Sequence, residues 1–352
     1  MNKISALSAN SLLAKARAMY GEILTNSNYD EMVNCRTINE LASYLKNHTA
    51  YESAFVDLTN VKINRARLEA VLKKHMLSRI ASICSFEKAI GQSLFKSLLI
   101  KNDIECILTC ANYLDSDNIG EYMIFIPEFF KTHSSLDTVA LERSHSFDEL
   151  YLALKGTIYQ PLLDVFTNEA NDFSVQLLES ILYNYYYTQS AKIINENYKG
   201  EKKEALLDIY RMASDYKTIE SIFRLKKYFA HDAINKSKFF FSDVTSFSQK
   251  NIDGFLEASS TDEFLELIKE TRYGKYISNE SDEHIERKTL QAALKINEKQ
   301  LRFSTCPEVV VLSYIGILEN ELGNITNIIE GIRYSLPPEE IMKFLVKKEE
   351  NL

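Results

Sequence analysis

The chain has 352 residues, of which 41 are basic and 49 acidic for a formal charge of -8, and it contains only 10 Gly and 5 Pro. So few turn-forming residues exclude sandwiches and barrels, which spend Gly and Pro on frequent tight turns, and exclude collagen-like or low-complexity chains, which spend far more. An apolar share of 45% supports a sizeable core and excludes wholesale disorder, while the acidic balance removes the general attraction on which nucleic-acid binding relies.

In chain order, residues 4–14 hold three Ser and one Asn and are too polar for a signal segment. Leu12, Leu13, Ala16, Met19, Tyr20, Ile23 and Leu24 then follow the three-and-four spacing of an amphipathic helix, which the polar run 25–28 is expected to end. A segment that recurs twice comes next. It reads TINELASYLKNHTAY at 37–51, SFDELYLALKGTIY at 146–159 and TDEFLELIKETRY at 261–273. Each copy has a Glu (Glu40, Glu149, Glu263), a Lys six residues later (Lys46, Lys155, Lys269), then Thr and Tyr. Each opens on an N-cap type residue, Thr37, Ser146 or Thr261, in the manner of a capping box.

A second motif recurs in step. Ile104, Ile107 and Tyr113 share their spacing with Ile219, Ile222 and Tyr228 and with Ile325, Ile328 and Tyr334, and Asp30, Asp137 and Asp253 give a third echo. A period of about 110 residues is too long for the solenoid repeats of 33 to 47 residues. The pattern predicts an all-α protein of three similar helical-bundle domains at 1–114, 115–229 and 230–352, with boundaries in the least regular stretches, 112–120 and 230–238. Near the end, Pro337 and Pro338 ahead of Glu339 and Glu340 read as a helix start.

Catalytic patterns do not emerge. There is no GxGxxG, no GxxxxGK[ST], no HExxH and no GxSxG, and Lys155, Gly156 and Thr157 read as a helix ending at Gly156. His231 beside Asp232 lacks a nucleophile or metal-ligand companion and reads as a polar boundary pair. Cys106 and Cys110 share a helix face without a second ligand pair and read as core thiols. Tyr183, Tyr185, Tyr186 and Tyr187 lack interleaved basic residues and read as packing between helices. Phe239, Phe240 and Phe241 read as a domain seal or an exposed contact patch. The longest uncharged stretch, 180–191, falls short of the about 20 residues that a bilayer span needs.

The segment 306–341 carries a resemblance. Pro307, Tyr314, Glu319, Glu321, Asn324, Ile325, Ile329, Gly331 and the run Glu339, Glu340, Ile341 resemble the end of the C subunit of the bacterial and archaeal A/V-type rotary ATPases, the counterpart of the eukaryotic vacuolar d subunit. Residues 223–228, FRLKKY, look like the equivalent helix of that family's middle domain, while Thr326 and Thr218 depart from its pattern. The resemblance implies a pseudo-threefold, funnel-shaped array of helical domains. It further implies a non-catalytic central-stalk subunit without cofactor, metal or nucleotide. Its partners would be the central shaft subunits (D/F type) and the membrane rotor ring, and its place the cytoplasmic side of the membrane, peripherally. The alternative is an all-α scaffold or adaptor for a soluble helical partner. Candidate contact residues are polar side chains lining the funnel and the helix ends near Lys46, Lys155 and Lys269, whose lysines also suit the negative end of a helix dipole.

Overall fold

A computed structural model describes residues 6–58, 63–84, 92–114, 126–167, 173–228, 242–277 and 285–349, and every regular element among them is helical. In order these are α1 (Ala6–Tyr20), α2 (Asn26–Met32), α3 (Ile38–His48), a 3-10 helix at Ala50–Leu58, α4 (Arg65–Cys84) and α5 (Gln92–Asn112). Then follow α6 (Glu128–His133), α7 (Thr138–Glu142), α8 (Phe147–Ala153), a 3-10 turn at Gln160–Leu163, α9 (Asp164–Thr167), α10 (Val175–Asn197) and α11 (Gly200–Tyr228). The last are α12 (Gln249–Glu257), α13 (Thr261–Lys269), α14 (Gly274–Ile277), α15 (Ile285–Phe303), α16 (Pro307–Arg333) and α17 (Pro338–Met342). The all-α class expected from composition and periodicity is what the chain adopts.

Local details correct several expectations. The first helix stops at Tyr20 rather than Leu24, and the polar run after it starts a helix: the Thr25 hydroxyl accepts from the Asn28 amide while Asn28 Oδ1 accepts from the Thr25 amide. The cap of α13 is Ser260, one residue before Thr261. The three aspartates of the third echo do not share a role. Asp137 caps α7, whereas Asp30 and Asp253 lie inside helices, and the corresponding caps are Thr25 and Ser248. Gly156 does follow the end of α8 with a φ of 79°, a left-handed turn that glycine enters without steric cost. The stretches 115–120 and 230–238, His231, Asp232 and Phe239 to Phe241 lie outside the described residues.

Among the described residues three apolar clusters hold the helices together. One joins Leu41, Leu45, Phe55, Leu68 and Leu72 to Ile325, Ile328, Ile329, Ile341 and Leu345. Another lies within 212–292, around Ile219, Ile222, Phe255, Phe264 and Tyr273. The largest spans α5, α10 and the first half of α16 and includes Cys106 and Cys110, both buried free thiols whose pKa burial pushes up to about 12 and about 11. Tyr186 and Tyr187 are buried there too, as packing between helices. Helix α15 lies so close to α16 that a Cβ on Gly316 would stand 2.5 Å from Asn297 Nδ2. The tail is fastened to α16 by Asn324, which both donates to the Val346 carbonyl and accepts from its amide.

One packing detail sets an acid dependence. The His75 ring lies 4.6 Å from that of Tyr51, and its buried Nε2 has no partner. Burial, then the nearby Arg79 charge, push its pKa from 6.5 down to about 4. The folded value is the lower one, so between these pH values the unfolded chain binds a proton that the folded chain refuses. Stability therefore falls as pH drops from 6.5 toward 4, by roughly 2–3 kcal/mol. His75→Phe keeps the ring and is expected to remove that share of the loss. Urea midpoints of both proteins at pH 7 and 4.5 check this, and equal acid losses would refute it.

Candidate functional site: three tyrosine joints and ion pairs between helices

The repeated segment builds the same object three times. The hydroxyls of Thr37, Ser146 and Ser260 accept from the amides of Glu40, Glu149 and Glu263. Each Glu carboxylate in turn accepts from the amide just ahead of the cap, on Arg36, His145 and Ser259. At the other end the hydroxyls of Thr49, Thr157 and Thr271 donate to the carbonyls of Leu45, Leu154 and Ile268. The same hydroxyls accept from the amides of Tyr51, Tyr159 and Tyr273 at 3.2 Å. The Thr thus closes the helix end and fixes the backbone of the Tyr.

Each Tyr then donates to a buried carboxylate on a long helix. Tyr159 Oη lies 2.9 Å from Asp103 Oδ2 on α5, Tyr273 Oη 2.6 Å from Asp215 Oδ2 on α11, and Tyr51 Oη 2.8 Å from Glu321 Oε1 on α16. Asp215 also accepts from the hydroxyls of Thr245 and Ser246 and the Ser246 amide, Asp103 from Ser134, and Glu321 from the Leu24 amide. Burial raises the pKa of all three carboxyls against the opposing pull of these donors. The three acids stand four residues ahead of Ile107, Ile219 and Ile325. This frame is three residues later in the first copy than the Ile104 alignment read from sequence. Ile104, Ile107, Ile219, Ile222, Ile325 and Ile328 are all buried, whereas Tyr334 is exposed.

The long helices share a second polar feature. Lys101 on α5 reaches Glu319 on α16 at 2.6 Å, and Lys73 on α4 lies 3.9 Å from Glu105 on α5, which also accepts from Tyr183 on α10. Lys217 on α11 pairs with Glu179 on α10 at 2.5 Å, Arg224 with Glu286 on α15 at 2.5 Å, and Thr289 donates to Glu220. Lys101 and Glu105 are 24% and 39% exposed. Yet desolvation by surrounding protein is the largest influence on the pKa of each. These ion pairs thus sit between helices, half-buried and partly open to solvent. Burial drives Glu105 upward, but Lys73, the Tyr183 hydroxyl and Lys101 outweigh it and hold the carboxyl below its usual range. In Lys101 the Glu319 carboxylate likewise outweighs desolvation and raises the pKa.

Paired charges from α4, α5, α10, α11, α15 and α16 thus meet between the helices. Among the described residues no three His, Cys, Asp or Glu side chains are grouped to hold a metal, and no helix is long and apolar enough to cross a membrane. Lys46, Lys155 and Lys269 are exposed at the ends of their helices, with Lys269 paired to Glu266. Sequence reading offers polar side chains lining a funnel as contact candidates and names none of these ion-paired residues. The available signal was an acid inside an otherwise apolar three-and-four pattern, as at Asp103, Asp215 and Glu321.

Residues 12–344 match the family described as ATP synthase (C/AC39) subunit. The chain is 22% identical over 343 residues to the A-type ATP synthase C subunit of Pyrococcus horikoshii, covering 94% of this chain and 88% of that protein. It is 24% identical over 347 residues to the A-type ATP synthase C subunit of Methanosphaera stadtmanae, covering 95% and 86%. With the family matched from α1 to the tail, the chain belongs to the ATP synthase (C/AC39) subunit family.

Proposed function

We propose that this chain is the non-catalytic central-stalk subunit of an A/V-type rotary ATPase. It receives the end of the central shaft in a recess between its long helices, rests on the membrane rotor ring at the cytoplasmic face without inserting, and transmits torque between them. The observation that carries the reading is the threefold recurrence of one docking joint, Tyr to buried carboxylate, on three long helices that are also tied by ion pairs. Three similar helical units would present similar surfaces around an axis, which suits a ring of identical subunits. The family match and the C-subunit relatives from A-type ATP synthases support it.

The test is purification from gently solubilised membranes at low salt. The chain is expected to travel with the shaft and ring proteins and to hydrolyse no nucleotide alone. Recovery only in the soluble fraction, bound to a peptide, would favour a helical adaptor instead. A Lys101→Glu and Lys217→Glu double variant is expected to lose the shaft proteins at least tenfold more readily with added salt, while retaining its helical content.

A further inference from the structure

The three joints differ in one respect that their chemistry hides. Tyr159 and Asp103 are 56 residues apart in the chain, and Tyr273 and Asp215 are 58 apart, so each of these modules docks on the long helix that precedes it. Tyr51 and Glu321 are 270 apart. The first module follows the 15-residue α1 but docks on α16, the last long helix described. By chain statistics, closing the longer loop is about tenfold less probable than closing either shorter one.

Everything beside that joint is also made from both ends of the described chain. The apolar cluster around it draws on residues 24–72 and 325–345 and on no others among its buried members. Glu321 Oε2 accepts from the Leu24 amide at 2.5 Å, Asn26 donates to the Lys348 carbonyl at 2.9 Å, Lys347 pairs with Asp30 at 2.5 Å, and Arg65 pairs with Glu330. Two ion pairs to α5 border these segments. Lys73 follows the clustered Leu72 on α4, and Glu319 lies two residues before Glu321 on α16.

We propose that the Tyr51–Glu321 joint is a clasp: it makes residues 24–72 and the end of α16 one cooperative unit, which opens as a whole while the unit at 212–292 stays closed. Lys73 and Glu319 border the unit, so its release loosens their pairs with Glu105 and Lys101 on α5. The inference concerns the chain itself and stands whether or not a shaft occupies the recess.

Native-state hydrogen exchange of the full chain tests it, with α10 amides as the reference for global unfolding. Tyr51→Phe removes one buried hydrogen bond. It is expected to speed exchange in α3 and in residues 325–333 together, by roughly ten- to a hundredfold, and to leave α13 unchanged. Tyr273→Phe is expected to do the reverse. Glu321→Gln, which keeps size and one acceptor, should give the first pattern more weakly and serves if Tyr51→Phe folds poorly. Acceleration of α3 without residues 325–333, equal acceleration everywhere, or no change would each overturn the clasp.

Discussion

Asp215→Ala is expected to lower the unfolding free energy by about 4 kcal/mol, the largest single loss among the three joint carboxylates. Asp215 is fully buried and accepts from the hydroxyls of Thr245, Ser246 and Tyr273 and from the Ser246 amide. Removing it strands the buried Tyr273 hydroxyl, at about 1–3 kcal/mol, and breaks the bonds from half-buried Thr245 and exposed Ser246, at about 0.5–1.5 kcal/mol each because water can partly replace them. Asp103 and Glu321 each accept from two groups, so their Ala variants should lose less, roughly 2–3 kcal/mol. Asp215→Asn keeps an acceptor and should fall between. Urea unfolding followed by helical circular dichroism gives the order directly. A loss below about 1 kcal/mol for Asp215→Ala would mean that water replaces the carboxylate and that the joint is not a fastening.

Gly274→Ala is expected to cost about 3 kcal/mol or more, although it adds a single methyl. A Cβ there would stand 2.1 Å from the Lys269 carbonyl oxygen and 2.7 Å from its carbonyl carbon. Backbone, not a pliable side-chain tip, is in the way, so the turn between α13 and α14 must open and pull Tyr273 from Asp215. The residues after Tyr51 and Tyr159 are Glu52 and Gln160, so only the third copy turns this tightly. Gly323→Ala is the control. It lies exposed inside α16 with nothing within 4 Å of the added carbon, and should stabilise by about 0.5–1 kcal/mol. Melting temperatures that move equally for both variants would contradict the argument.

Much of this was legible in the residues. The Glu, Thr and Tyr of each copy were visible as a pattern, and each has its own duty: the Glu and cap hydroxyl start the helix, the Thr ends it, the Tyr docks it. These bonds are local, which is why spacing alone revealed them. The partner of each Tyr was not legible, because it lies on another helix and in one case 270 residues away. The packing accordingly crosses the boundaries drawn from sequence near 114 and 229: a module expected in the first unit shares its core with residues expected in the third. The ion pairs between helices were hidden for the same reason. Lys101 and Glu319 look like ordinary surface charges until two long helices bring them together.

The close approach of α15 and α16 at Gly316 and Asn297 has a mechanical consequence. Two helices separated by loose side chains slide past each other when bent, and each then bends as a separate thin rod. Here the Asn297 amide fills the space a Cβ would take, and interdigitated packing at that range blocks sliding. The two helices therefore flex as one thicker beam, and a Gly316→Ala change, by wedging them apart, would turn the beam back into a pair of rods.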